Sequence, residues 1–421
     1  MASPAGSSPQ PAGELELDAQ DLATRHRRRR RQLATVVVVV LIAVGGIGWA
    51  TDGFSRPVDK VLGSIGPQCP PTVTLNGSGS TFVAPLMKTW AEAYSGAAAS
   101  REMGCIVVQP VYNASGVTAA LGRFGGGGTE FVASEEPLNG SAEAALPWPT
   151  LTLPLTTSAV AIAYNVPGVP AGLNLTGSVL AGIYLGKITT WSDPAIAGLN
   201  PGISLPSGAP IAVLHDAAGS GTSYVFSGYL SLSNASWASE VGQGPSVAWP
   251  VGLVADGDAG AAALLANTSG GIAYLGLAAA LAHGLDCARL ENPAGKFVAP
   301  SAATVFAATT AYAKVLPLGN QSWQNVSLLD QPGNASYPIT TFTYAIVFDD
   351  LGKAYDGALT LSAAQWLAAY LYWMSVAGQS YGTQLGYPPF PSVVTNANTQ
   401  IVELLRYDGV AALGDIDYDG D

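Results

Sequence analysis

The segment "IAVLHDAAGSGTSYVF", residues 211–226, brings together residue types suited to holding an oxyanion. Its apolar start predicts a buried strand, its Gly/Ser/Thr centre a turn, and its end the first turn of a helix. A helix start leaves its first N–H groups without intrahelical acceptors. Ser220, Gly221 and Thr222 would therefore present backbone donors to an anion. The stretch "GSGSTF", residues 77–82, has the same character and predicts a second such terminus at 80–83. Ser and Thr also serve as plain helix caps, so neither loop alone is specific. His215 and Asp216 stand just before the first turn, where an anion site would want a cation.

Catalytic constellations are not supported. The only histidines are His26, His215 and His283, which leaves His215 as the sole base in this loop. Neighbouring residues on a strand point to opposite faces, so His215 and Asp216 form no simple pair. "GQSYG", residues 378–382, matches a nucleophile-elbow pattern, but a long helical segment precedes it where the motif needs a strand. It reads as a helix C-terminus. No spacing of metal ligands occurs, and the tail "GDIDYDGD" reads as a solvated terminus. The expectation is a protein that is not an enzyme and carries no metal or cofactor.

The elements that position the two loops follow from periodicity. "TVTLNG" predicts a strand, and "FVAPLMKTWAEAY" a helix with Phe82, Leu86, Trp90 and Tyr94 on one face. "CIVVQPVY" predicts a strand, "GVTAALGRF" a short helix, "EFVASEEPL" a strand and loop, and "LTLPLTTSAVAIAYNV" a long extended stretch. "LSAAQWLAAYLYWMSVAG" and "TNANTQIVELLRY" predict helices near the end. Strands alternating with helices predict an α/β fold with a mostly parallel sheet.

Composition sets the setting. The 421 residues are 48% hydrophobic and 11% charged, with 50 Gly and 29 Pro, which suits a large core with many turns. The net charge of −12 argues against nucleic acid as a partner. Six arginines, Arg25 and Arg27–Arg31, form one run, leaving 11 basic residues for the rest of the chain. The uncharged stretch 33–50 follows and is about the shortest that spans a bilayer at ~1.5 Å per residue. Its flanks predict an uncleaved signal anchor, with 1–32 as a basic cytoplasmic tail and the remainder outside. Nine Asn-x-Ser/Thr sequons, among them Asn76, Asn113 and Asn139, agree with that placement. Of three cysteines, Cys69 and Cys105 are the candidate pair and Cys287 the odd one.

Six segments carry a family resemblance in order: "GSGSTFVAPLMKTWAEAY", "EFVASEEPL", "LTGSVLAGIYLGKITTWSDPAIAGLNPGISLP", "GSGTSYVFSGYLS", "VAWPVGLVADGDAG" and "GGIAYLGLAAALAHGL". Over about residues 72–410 the chain resembles the phosphate-binding proteins of ABC phosphate importers, the PstS family. "YLGKITTWSDPAI" is the most specific of these stretches. The resemblance implies a periplasmic-binding-protein type II fold, two α/β lobes closing on a ligand by hinge motion. Carried onto this chain, 51–71 is a tether, 72–165 plus 337–412 the first lobe, 166–336 the second, and 413–421 an acidic tail.

The resemblance also implies a ligand set. Thr81 and Phe82 match the family's first loop, and Ser220, Gly221 and Thr222 its helix turn. The family's serine falls on Asn113, with Ser115 available after a small shift, and its aspartate falls on Glu135. A carboxylate there accepts a proton from phosphate and repels fully ionised sulfate. The family's arginine falls on Asp216, and that arginine's acidic partner on Ala218. Exchanging guanidinium for carboxylate removes a bidentate donor and shifts the local charge by two units, a loss of roughly 2–5 kcal/mol of binding. The implied function is an extracellular solute-binding protein that binds phosphate between its lobes and passes it to ABC permease subunits, as a monomeric ectodomain. A diverged receptor for another small solute, or a surface protein on a degenerate binding fold, are the other readings.

Overall fold

The computed structural model describes residues 72–101, 107–217, 219–312 and 316–413, all within one compact unit spanning Cys69–Asp421. The basic tail, the anchor 33–50, the tether, residues 414–421 of the acidic tail, Cys69, Cys105 and Ala218 lie outside the described residues. No helix among the described residues is long and apolar enough to cross a membrane. Cys287 is a free thiol.

Twelve strands matter for the site and its frame. They are β1 (Val73–Gly79), β2 (Val108–Asn113), β3 (Phe131–Ser134), β4 (Thr150–Asn165), β5 (Asn174–Leu175), β6 (Ala212–Asp216), β7 (Leu253–Ala255), β8 (Gly271–Gly276), β9 (Asp286–Cys287), β10 (Arg289–Glu291), β11 (Phe297–Val298) and β12 (Thr340–Phe348). The main sheet runs β2-β1-β3-β12-β4-β8-β6-β7, with β9 paired to the end of β4. Strands β5, β10 and β11 form a small separate sheet.

Strand β4 explains how one sheet serves two lobes. Its sixteen residues contain no charge and all but the last are buried, so both faces and both edges are covered. Residues Thr150–Ala159 pair antiparallel with β12, and Val160–Asn165 pair antiparallel with β8. On one side, β1 pairs parallel with β2 and β3. On the other, β6 pairs parallel with β7 and β8. The arrangement is a two-lobed α/β fold, each lobe built around its own parallel strands and the two joined through β4 and β12.

Helices cover the sheet as the apolar spacing requires. Helix α1 (Ala84–Arg101) buries Leu86, Trp90 and Tyr94 on one side, and the Trp90 indole N–H donates to Gly378 O at 2.6 Å. Phe82 is buried too, but it precedes the helix rather than belonging to it. Helix α2 (Val117–Gly125) follows β2, helix α3 (Gly221–Ser233) follows β6, and helix α4 (Gly257–Ala266) follows β7. Each of these starts at the carboxyl end of a parallel strand, the edge where open α/β sheets hold ligands. "GQSYG" lies in a 3₁₀ turn, Ala377–Tyr381, directly after the helix Leu361–Ser375. Ser380 there donates to Ala377 O, so no nucleophile elbow forms.

Candidate functional site

A cavity of about 330 Å3 lies where the β-strand ends of the two lobes meet. One wall is Ser80, Thr81, Ala114, Ser115 and Gly116; the other is Asp216, Ala217, Gly219, Ser220, Gly221, Asp256 and Gly257. Among the described residues, no lysine or arginine contributes to either wall.

The second wall centres on the start of α3. Ser220 is its N-cap, in extended backbone conformation, and its hydroxyl accepts the Ser223 N–H at 3.2 Å. The Tyr224 N–H donates to Ser220 O, which is the first intrahelical bond. Gly221 and Thr222 hold the first two helical positions, whose N–H groups have no intrahelical acceptor. The helix dipole adds partial positive charge at the same point. Before the helix, Gly219 has φ +83°, a left-handed conformation natural for glycine, and its N–H is fixed to Ser246 Oγ at 2.7 Å.

The first wall is arranged differently at its helix start. Helix α1 begins only at Ala84, after a tight turn in which Ala84 N–H donates to Thr81 O. The Phe82 N–H, expected to face an anion, donates to Ser80 Oγ at 3.0 Å. The Ser80 hydroxyl thus occupies the acceptor position that a ligand oxygen would take. Thr81 lines the cavity directly.

The remaining expected residues divide. Ser115 lines the cavity, whereas Asn113 is exposed at the end of β2, outside the lining. Arg123, on the last turn of α2, donates through Nη2 to Ser115 Oγ. It is a cation at the mouth of the cleft that the sequence reading missed. Its local sequence, the last turn of a short helix, carries no signal of the cleft. Thr222 sits behind the wall, donating its hydroxyl to Asp258 Oδ1 at 3.1 Å.

Glu135 also lies behind the cavity rather than on its surface. It lines a second cavity of about 300 Å3 with Thr340, Thr341 and Phe342 of β12. Its Oε1 accepts the Thr343 hydroxyl at 2.8 Å, while Oε2 is buried without a hydrogen-bond partner. Ser80 stands beside the carboxyl without completing a bond to Oε2. Burial raises the Glu135 carboxyl to about 7, against the opposing influence of Ser80 and Thr343.

Asp216 is no loose substitute for a cation. It is 7% exposed, and its Oδ1 accepts the N–H groups of Ala217 and Gly257, both at 2.8 Å. The Asp216 N–H donates to Tyr274 Oη at 2.9 Å. Burial raises this carboxyl, with Ser220 and the two N–H donors holding it back. His215 faces elsewhere, stacked on Trp249 at 5.4 Å between ring centroids. Beyond Asp216 stands Asp258, on α4, which the sequence reading also missed. It is 5% exposed, Oδ2 has no partner, and burial raises it to about 7, with Asp216 and Glu135 adding to the rise.

The lobes touch across the site. A Cβ on Gly257 would lie 3.1 Å from Thr81 Cγ2, and one on Gly221 would lie 2.0 Å from Glu135 Oε2. One on Gly219 would lie 2.9 Å from Thr118 Oγ1. Only glycine permits such approach, so the second lobe presents bare backbone to the first. The geometry is that of a half-open polar cleft between touching lobes, with a helix start on one wall.

Fold and cleft together define a two-lobed binding protein for a small polar solute. The PBP superfamily domain matches residues 66–376. The chain is 31% identical over 328 residues to the phosphate-binding protein PstS of Xylella fastidiosa, spanning 76% of this chain and 82% of that one. It is 30% identical to its counterpart from Methanocaldococcus jannaschii, over 83% of this chain and 93% of that one. With PstS2 of Mycobacterium bovis it shares 33%, over 82% and 90%. The chain belongs to the PstS family of phosphate-binding proteins within the PBP superfamily. Among solved structures, a high-affinity periplasmic phosphate-binding protein bound with phosphate matches at TM-score 0.59 and 19% identity, over 82% of this chain and 97% of that one. A putative phosphate ABC transporter substrate-binding protein from Clostridium perfringens matches at TM-score 0.52 and 18% identity, over 76% and 100%. These two share the fold.

Proposed function

We propose that the protein is the solute-binding component of an ABC importer and binds inorganic phosphate in the cleft between its lobes. The observation that carries this reading is the start of α3. There, the N–H groups of Gly221 and Thr222 have no intrahelical acceptor, and Gly221 lines a polar cavity. Family membership supports it, because the named relatives are phosphate-binding proteins. Thr81, Ser115, Ser220 and Gly221 form the direct contact set, with Thr222 and Glu135 supporting it from behind and Phe82 setting the turn. Asn113 plays no part in that set, and its exposed position suits a glycan acceptor. None of these residues is assigned a catalytic role.

Residues 72–165 with 337–412, and 166–336, are the two lobes in this reading, and the uncharged stretch 33–50 anchors them at the outer face of a membrane. Closure on phosphate presents the loaded form to the permease. Isothermal titration calorimetry of the full-length protein tests the reading. Phosphate gives saturable heat. Absence of phosphate heat between pH 5 and pH 8.5 overturns the reading.

A further inference from the structure

Two buried carboxyl groups converge on the anion cradle without a cation to balance them. Glu135 Oε2 and Asp258 Oδ2 are both shielded from solvent, and neither has a hydrogen-bond partner. They approach α3 from opposite lobes: Glu135 meets its first residue, Gly221, and Asp258 holds the hydroxyl of its second, Thr222. On the far side, a Cβ on Gly276 would lie 2.7 Å from Asp258 Oδ2 and 2.9 Å from Phe82 Cδ2, so Gly276 lies beside both Asp258 and the first lobe's turn.

Among the described residues, every side chain facing this pair is neutral or acidic. Around Glu135 stand Ser80 after β1, Tyr112 of β2, Thr343 of β12, and Tyr387. Around Asp258 stand Asp216 of β6, Thr222 of α3, Tyr274 of β8, and Tyr387. The phenols are committed elsewhere: Tyr112 donates to Ser80 O, and Tyr387 donates to Phe82 O at 2.6 Å. Asp256, on the cavity wall, adds one more negative charge. The nearest cation named at the cleft, Arg123, is engaged with Ser115 at the mouth.

An anion entering this space meets like charge unless protons enter with it. A protonated carboxyl reverses the interaction, because it becomes a donor aimed at the ligand or at a neighbouring oxygen. Resting on the phosphate reading above, we propose that the cleft captures phosphate together with protons, with Glu135 and Asp258 entering the complex as neutral carboxylic acids. The protons come from solvent when phosphate arrives as the dianion. Asp258 is thereby a determinant of the pH at which the protein binds. Burial raises both carboxyls to about 7, which places the change within an accessible pH range.

The test is phosphate titration of the full-length protein at pH 5, 7 and 8.5, in buffers of different ionisation enthalpy, which count the protons taken up. Wild type, Asp258→Asn and Glu135→Gln are compared at each pH, so that the ionisation of free phosphate cancels. The expected result is lower proton uptake in each variant at pH 8.5. Asp258→Asn also binds about tenfold or more tightly than wild type at that pH and about equally at pH 5, since each linked proton is worth about tenfold per pH unit. Phosphate binding with the same proton count in wild type and both variants overturns the inference while the phosphate reading stands. A wild type that gives no heat at any pH overturns the phosphate reading and the inference with it.

Discussion

Arg123 and Asp216 have exchanged the places that charge balance in an anion site would suggest. Asp216 is tied down by two backbone N–H groups at the floor of the second wall, while Arg123 reaches Ser115 from an exposed helix position. An exposed guanidinium at a cleft mouth steers an incoming anion more than it holds a bound one. Arg123→Ala is therefore expected to lower the phosphate association rate by about three- to tenfold at low salt and to flatten its salt dependence. The dissociation rate should change little. Stopped-flow kinetics at two ionic strengths checks this, and a raised dissociation rate with unchanged association would show a direct ligand contact instead.

At the scale of elements, the start of α3 carries both folding and binding. The Ser220 cap orders the first turn, and the ordered turn is what places Gly221 on the cavity wall. Ser220→Ala should cost about 1 kcal/mol of unfolding free energy. Urea denaturation of the phosphate-free protein measures that loss, and a change indistinguishable from zero would mean the turn is held by the strands alone. The turn also has support beyond its cap: Ala217 N–H donates to Ala255 O of β7, and Gly219 and Ser220 N–H both donate to Pro245 O.

At the scale of the molecule, the buried carboxyls make stability depend on pH in an unusual direction. A carboxyl whose folded pKa lies above its unfolded value binds its proton more tightly when folded. Its penalty is absent below the unfolded value of about 4, grows as pH rises to the folded value, and then levels off. With Glu135 and Asp258 both raised to about 7, the phosphate-free protein should lose stability between pH 4.5 and 7 and change little from these groups above that. Thermal denaturation across pH 4.5–8 checks the sign, with Asp258→Asn expected to flatten the curve. A Tm that rises steadily over that window would contradict the burial of both groups.

Much of this architecture was legible in local sequence. The strand, turn and helix of 211–226 were readable because each has a signal within a few residues: an apolar run, a glycine turn and a capping serine. The long apolar run 150–165 was readable as extended, and its lack of alternation now has its reason in a strand covered on both faces. Chain order and turn chemistry thus determined the α/β class, the Gly/Ser/Thr turn that opens α3, and the family. What only the tertiary structure decided is how charge is distributed around the cleft. That Glu135 stops behind the wall against Gly221, that Asp258 joins it, and that Arg123 reaches Ser115 all depend on side chains from distant segments meeting in space. Periodicity and capping act over a few residues and carry no information about such meetings, whereas desolvation and Coulomb interaction act through space and set the chemistry of the site.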